Sequence, residues 1–142
     1  MEIREFFEAL EKQEETGNSY IISLNSQNLE ENSGRNAGVE LMNMFFTDSK
    51  LLCDNKLLCF SNMHRKPIGK TEEGIDVYPI DADSEIFIKT GKIAAIENVE
   101  DYENWFQVPC SKVVNLYMLQ ENDTASGHRN VVTIGFLKWI VR

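Results

Sequence analysis

The sequence predicts an α+β fold, in which a single mostly antiparallel sheet carries two or three helices packed on it. The run Ile86-Phe87-Ile88 is β-branched and aromatic, and Lys89-Thr90-Gly91-Lys92 separates it from the apolar residues 93–96. This pattern predicts an antiparallel hairpin, with a glycine at positive φ, inside a meander of about three strands that begins near Ile75. Residues 131–141 are nearly continuously apolar, which is typical of a strand buried on both faces.

Three segments predict the helices. Apolar residues three and four positions apart, with glutamates between them, predict a helix over residues 2–15 that ends at Gly17. A second apolar stripe predicts a helix over residues 38–46. A third helix is expected over residues 98–106, with Asp101 in its first turn, where the helix dipole favours negative charge.

Other short runs predict strands and loops. Residues 20–24 have strand composition, and a second hairpin is expected around Asp54-Asn55. Residues 25–36 are polar and have no periodicity, so they are predicted to form a mobile loop. Residues 113–119 fit either a helix or a strand, because short apolar runs do not reveal their period. The topology of residues 111–130 therefore stays open.

Length and composition predict one cytoplasmic domain. A chain of 142 residues is expected to fold as a single domain over residues 1–142. Its first residues form no apolar run, and no window holds the roughly 18 apolar residues of a membrane span. The three cysteines, Cys53, Cys59 and Cys110, have no metal-ligand spacing, so free thiols in the cytoplasm are expected.

Several large or soft side chains are expected to pack in the core. Cys53 and Cys59 flank the second hairpin and are predicted to be small core residues rather than nucleophiles. Trp105-Phe106 and Trp139 are predicted to be core anchors, with a partner interface as the alternative.

The charge is concentrated in two segments. The net charge is −9, and residues 72–103 hold ten acidic residues against two basic ones, a net −8. Residues 1–40 hold nine acidic residues against three basic ones, a net −6. An acidic chain repels phosphate backbones and anionic lipid surfaces, so neither nucleic acid nor a membrane is an expected partner.

The sequence motifs predict no cofactor and no metal. Gly69-Lys70-Thr71 resembles the end of a phosphate-binding loop, but the required earlier glycine position holds His64. Asp81-Ala82-Asp83-Ser84-Glu85 resembles the start of a calcium loop, but its sixth position is Ile86 and its twelfth is Lys92.

The acidity of residues 72–103 exceeds what solubility needs, so it predicts an electrostatic docking face for a basic protein partner. The residues assigned to this face are Asp76, Asp81, Asp83, Glu85, Glu100, Asp101 and Glu103.

The middle of the chain resembles the SUKH (SMI1/KNR4) superfamily. The resemblance is carried by residues 75–83, by the strand–glycine–strand pattern of residues 85–93, and by the acidic start of the segment Val99-Glu100-Asp101-Tyr102. It covers about 35 residues. It implies an α+β domain that acts by binding, often as a bacterial immunity protein against a nuclease toxin.

Three functions follow as hypotheses. The first is a non-catalytic protein-binding module, with an immunity protein as one form of it. The second is a small-ligand-binding domain with a pocket between sheet and helices. The third is an enzyme with a dispersed site around His64, His128 and the acids of the central strands, although neither histidine has a nucleophile in a known context nearby.

Overall fold

The computed structural model describes residues 1–28, 43–63, 66–78, 85–100, 106, 108–119 and 128–141. Its one α-helix within these ranges is α1 (Ile3–Thr16), and a short 3₁₀ helix covers Thr90–Lys92. The strands are β1 (Tyr20–Asn28), β2 (Met44–Phe46), β3 (Asp48–Leu52), β4 (Leu57–Ser61), β5 (Gly69–Lys70), β6 (Asp76–Val77), β7 (Glu85–Lys89), β8 (Ile93–Asn98), β9 (Cys110–Met118), β10 (His128–Leu137) and β11 (Ile140–Val141).

The fold is mostly β, so the predicted α+β class with two or three helices is wrong. Strands hold more than half of the described residues, and they form three sheets. Within the second predicted helix, the residues Met44–Phe46 form strand β2 instead. This strand pairs with β1, and the pairing provides hydrogen-bond partners for its backbone N–H and C=O groups. Of the third, Asn98 ends β8. The remainder of these two segments lies largely outside the described residues.

A five-stranded antiparallel sheet, in the order β2-β1-β10-β9-β8, forms the centre of the molecule. Strand β10 pairs with β1 on one side and with β9 on the other, and residues 131–137 are all buried. The predicted C-terminal buried strand is confirmed for these residues. It ends at Leu137, and Lys138 and Trp139, which follow it, are exposed and belong to no strand. The next strand, β11, pairs in parallel with β5 in another sheet. The prediction that Trp139 anchors the core is therefore wrong.

One face of the central sheet packs against α1 and the three-stranded sheet β3-β4-β7. We call this interior the first core cluster. Phe6 and Leu10 of α1 and Leu58 of β4 are buried in it. The Tyr20 ring joins the layers through edge contacts with Phe60 and Phe136, at centroid distances of 5.2 and 5.6 Å. The amphipathic helix predicted at the N terminus is confirmed, and Gly17 ends it with φ 75°.

The opposite face of the central sheet carries the second core cluster. Its buried members come from several elements: Ile21, Ile68, Phe106, Cys110, Val113 and Leu137. Val77 of β6 and Val99, which follows β8, are partly buried against it. The small sheet β11-β5-β6 thus contributes to this side, while β3-β4-β7 packs on the other. Phe106 is buried here, as the sequence predicts for one of its aromatic anchors.

The predicted meander around β7 is wrong. Strands β7 and β8 do not pair with each other: β7 pairs with β4, and β8 pairs with β9. The 3₁₀ turn Thr90–Lys92 carries the chain from one sheet to another, and Gly91 has no positive φ. Upstream, β6 pairs with β5. The chain therefore changes sheets where the sequence pattern indicates a local hairpin.

The second predicted hairpin is confirmed as β3 and β4, and its turn has positive φ at Cys53, Asp54 and Asn55. Cys53 lies in this turn and is exposed, so its prediction as a core residue is wrong. Residues 25–28 extend β1, which contradicts the loop predicted there. Residues 113–118 are strand, which settles the ambiguity left by the sequence.

Candidate functional site

Of the seven residues predicted to form the docking face, the structure describes Asp76, Glu85 and Glu100, and all three are exposed. The other four, which are Asp81, Asp83, Asp101 and Glu103, lie outside the described residues. The three described carboxylates do not share a face. Glu85 belongs to β7, whose Ile88 is buried in the first core cluster. Asp76 and Glu100 are the chain neighbours of Val77 and Val99, which pack against the second core cluster on the other side of the central sheet.

Further carboxylates lie on the side of the second core cluster. Glu72 and Glu73 are exposed in the turn between β5 and β6. Glu97 is exposed on β8, paired with Asn115 on the face that carries Val113. We call the five residues of this side the acidic surface: Glu72, Glu73, Asp76, Glu97 and Glu100. An ion pair of 3.8 Å with Lys70 offsets the charge of Asp76, and both side chains are about half exposed, so the pair contributes little stability.

The β5–β6 turn that carries Glu72 and Glu73 has a defined hydrogen-bond pattern. The Thr71 N–H donates to the Ile75 carbonyl at 2.9 Å, and the Gly74 N–H donates to the Thr71 carbonyl at 3.0 Å. The Ile75 N–H also donates to Thr71 Oγ1 at 3.1 Å. Gly74 has φ 83°, a conformation that favours glycine. The local sequence therefore holds the two glutamates on a closed turn.

A row of polar side chains crosses four strands of the central sheet behind the acidic surface. Ser23, Thr133, Asn115 and Glu97 are register partners along β1, β10, β9 and β8. Thr133 Oγ1 donates to Asn115 Oδ1 at 2.6 Å, and Asn115 Nδ2 donates to Glu97 Oε1 at 2.8 Å. The Tyr117 hydroxyl donates to the same Glu97 oxygen at 2.9 Å. Two donors therefore hold the Glu97 carboxylate in place, and hydrogen bonds to a charged group are among the stronger ones.

Three members of this row are buried: Ser23 is 3% exposed, Thr133 0% and Asn115 5%. Within the described residues Ser23 Oγ has no hydrogen-bond partner. The patterns used above did not predict this polar row, although the sequence holds a signal for it. Each buried member is a single polar residue inside an apolar run, such as Val113-Val114-Asn115-Leu116. Only the strand register shows that the three positions meet.

A groove of about 540 Å³ lies on the other side of the molecule, between α1 and the β3–β4 hairpin. Phe7, Leu10 and Leu51 supply apolar lining, and charged residues at its margin include Arg4, Glu8, Glu11 and Lys50. The volume falls within the usual range of small-ligand pockets, roughly 300–1,000 Å³.

Glu14, which also lines this groove, joins α1 to β3. Its Oε1 accepts hydrogen bonds from the Ser49 N–H at 2.6 Å, from the Ser49 hydroxyl at 3.1 Å and from the Tyr20 hydroxyl at 3.0 Å. The groove therefore has one wall fixed by hydrogen bonds.

Two of the three thiols, those of Cys59 and Cys110, are not activated for nucleophilic chemistry. Burial raises the pKa of Cys110 to about 11. Burial, with a smaller contribution from the Glu85 carboxylate, raises the pKa of Cys59. Both thiols are therefore protonated at neutral pH, whereas the thiolate is the reactive form.

Only part of the dispersed enzymatic site predicted from the sequence falls within the described residues. His128 is the first residue of β10, and His64 lies outside the described residues. Across the part of the chain that the structure describes, no group of three or more His, Cys, Asp or Glu residues could hold a metal ion. In the same ranges, no helix is long and apolar enough to cross a membrane.

No protein-family model, no curated protein and no solved structure matches this chain. The resemblance to the SUKH superfamily therefore stays a prediction.

Proposed function

We propose that this chain is a non-catalytic, cytoplasmic protein-binding module whose acidic surface docks a basic protein partner. The observation that carries the proposal is the set of five exposed carboxylates on the side of the second core cluster. Concentrated charge of one sign raises the rate of encounter with an oppositely charged partner and disfavours other partners.

Part of this acidic surface is fixed before any partner arrives. The polar row holds the Glu97 carboxylate through Asn115 and Tyr117, whereas the closed β5–β6 turn fixes the backbone that carries Glu72 and Glu73. Ordering a side chain on binding costs about 0.5–1.5 kcal/mol, so carboxylates that are already ordered bind with a smaller entropic loss.

The resemblance to the SUKH superfamily supports one class of basic partner, a bacterial nuclease toxin. A nuclease that binds nucleic acid has a basic binding surface, and an acidic protein surface complements it. In this form of the proposal the chain is an immunity protein, and it neutralises the toxin by covering its nucleic-acid-binding surface.

The experiment compares two baits with equal net charge. The first variant combines Glu73→Lys, Asp76→Lys and Glu100→Lys in the acidic surface. The matched control combines Glu2→Lys, Glu5→Lys and Glu15→Lys, which are exposed at or on α1, on the other side of the central sheet. Each variant has net charge −3, because three reversals add six charges to −9. Wild type and both variants are immobilised, and proteins are captured from native lysate of the source cells.

We expect wild type and the α1 control to capture a basic protein that the surface variant does not capture. With that protein purified, the association rate constant of the surface variant at low ionic strength should fall by about tenfold or more, with a weaker salt dependence. The α1 control should lower this association rate constant by a smaller factor. If the two variants associate equally slowly, net charge alone governs binding, and the acidic surface is not the docking site.

The α1–β3 groove supports a second candidate function, the binding of a small ligand. Its volume and its mixed apolar and charged lining are suitable for a small amphipathic molecule. A fragment library can be screened by amide chemical shifts in the wild-type protein. Shifts centred on Phe7 and Leu51, abolished by Leu51→Arg, would support this function. A library that shifts neither amide would exclude it.

A further inference from the structure

Strand β7 forms an open edge of the three-stranded sheet. It pairs with β4, and no strand within the described residues pairs with its other side. Its side chains alternate: Ile88 is buried, whereas Glu85, Phe87 and Lys89 are exposed. Phe87 is 54% exposed, and its neighbours across the sheet on the outer face are Cys59 and Lys50. An unpaired edge with an exposed aromatic side chain favours pairing with another strand.

We propose that the occupant of this edge is β7 of a second copy of the chain, paired antiparallel about Phe87. In this register Phe87 lies opposite Phe87 of the other copy, and Glu85 lies opposite its Lys89. The outward-facing side chains of β7 run from acidic Glu85 through Phe87 to basic Lys89. In an antiparallel pair of two such strands, each acidic end therefore lies opposite a basic end. The pairing therefore forms two oppositely charged cross-strand pairs around one aromatic pair, and each such pair is stabilising.

The inward side chains also match in this register. Ile86 is partly buried and Ile88 is buried against the first core cluster. Ile86 of one copy would lie opposite Ile88 of the second copy, so the apolar inner face continues from one sheet into the next. The result is a six-stranded sheet with β7 of both copies at its centre. Because the contact is two-fold symmetric, it uses both edges and closes as a dimer.

Two features set the strength and place of this contact. The five-residue strand is about 17 Å long, so the interface is small and the dimer is expected at high protein concentration only. Glu85 lies on the side of the first core cluster, away from the acidic surface. Dimerisation therefore leaves both acidic surfaces open, and it does not depend on the proposed function.

The first test is a charge exchange measured by sedimentation equilibrium over a wide concentration range. Glu85→Lys or Lys89→Glu alone places like charges opposite each other twice per dimer. We expect each single variant to weaken dimerisation by about tenfold or more. The double variant Glu85→Lys with Lys89→Glu should restore the wild-type constant, and the two single variants mixed should form a heterodimer. These positions are exposed, and circular dichroism checks that each variant folds.

The second test determines the register. Phe87→Cys, in a chain with Cys53→Ser and Cys59→Ser, places two thiols opposite each other on the symmetry axis, where an interchain disulfide should form under mild oxidation. Tyr78→Cys in the same background is the control, since Tyr78 is 53% exposed and lies outside β7. We expect a covalent dimer for the first variant and not for the second. A wild-type chain that stays monomeric near millimolar concentration would overturn the proposal. A dimerisation constant that neither single charge reversal changes would also overturn the proposal. Equal cross-linking at the two cysteine positions would do the same.

Discussion

Gly135 lies in β10, where side chains of the second core cluster pack closely against the central sheet. A Cβ atom at this position would lie 2.7 Å from Ile21 Cγ2, 2.8 Å from Cys110 Sγ and 3.0 Å from Phe106 Cε2. All three side chains are buried, so none can turn out into solvent. The substitution Gly135→Ala therefore overpacks this interface.

The expected loss of stability can be estimated. Overpacking in a well-packed core costs about 1–3 kcal/mol. Replacing a glycine inside a strand returns about 0.5–1 kcal/mol, because alanine has less backbone freedom to lose. The difference of these ranges is about 0–2.5 kcal/mol. Because all three contacts are at or below 3.0 Å, we expect Gly135→Ala to lower the free energy of unfolding by about 1–2 kcal/mol. For a chain of this size, the melting temperature should fall by roughly 3–8 °C.

Gly91→Ala is the matched control for this substitution. A Cβ atom at Gly91 has no neighbour within 4 Å, and the residue has no positive φ. Urea unfolding, followed by tryptophan fluorescence, should give a control within about 0.5 kcal/mol of wild type. If Gly135→Ala is as stable as Gly91→Ala, the second core cluster does not pack on the central sheet at this point, and the sheet does not carry a core on both faces.

Three further predictions follow from the buried polar groups and the central strand. Asn115→Ala leaves the buried Thr133 hydroxyl without its acceptor and should lower the free energy of unfolding by about 1–3 kcal/mol. Ser111→Ala, which removes a longer and only partly buried hydrogen bond to the Phe136 carbonyl, should cost less in the same urea titration. The pKa values of Tyr20 and Cys110 are raised in the folded chain by burial, so the unfolded chain loses these protons first. The contribution of these two groups to the free energy of unfolding should therefore be constant below about pH 9 and fall above it. Urea denaturation between pH 8 and 11 checks this fall, and Tyr20→Phe should flatten the profile above about pH 10. Truncation after Asn130 removes seven consecutive buried residues of β10 and should abolish the cooperative thermal transition, whereas a soluble, cooperatively melting product would contradict the central place of that strand.

Local patterns predicted the elements that local interactions determine. The apolar spacing of residues 2–15 and the glycine that follows were sufficient for α1, and Asp54-Asn55 was sufficient for the β3–β4 turn. The pairing of β7 was predicted wrongly because its pattern, with a short turn and a returning apolar run, also suits a hairpin. Consecutive strands pair in most folds, but here contacts with β4 and β9 decide the sheet of each strand.

The candidate site was less predictable for the same reason. The charge of residues 72–103 indicated an acidic surface, but it did not show that Glu85 and Asp76 lie on opposite sides of the central sheet. The polar row depends on Asn115 and Thr133 being register partners. A shift of one residue would move each side chain to the other face, and register of this kind comes from long-range pairing.

The most direct measurement of the proposed docking site is carboxyl footprinting of the complex with the captured basic partner. A water-soluble carbodiimide and an amine label exposed carboxylates, and mass spectrometry reads the extent of labelling at each residue. We expect complex formation to reduce labelling of Glu72, Glu73 and Glu100, and to leave Glu5 and Glu15 of α1 unchanged. Protection confined to α1, or equal labelling of the acidic surface in the free and bound states, would contradict the proposal that this surface binds the partner.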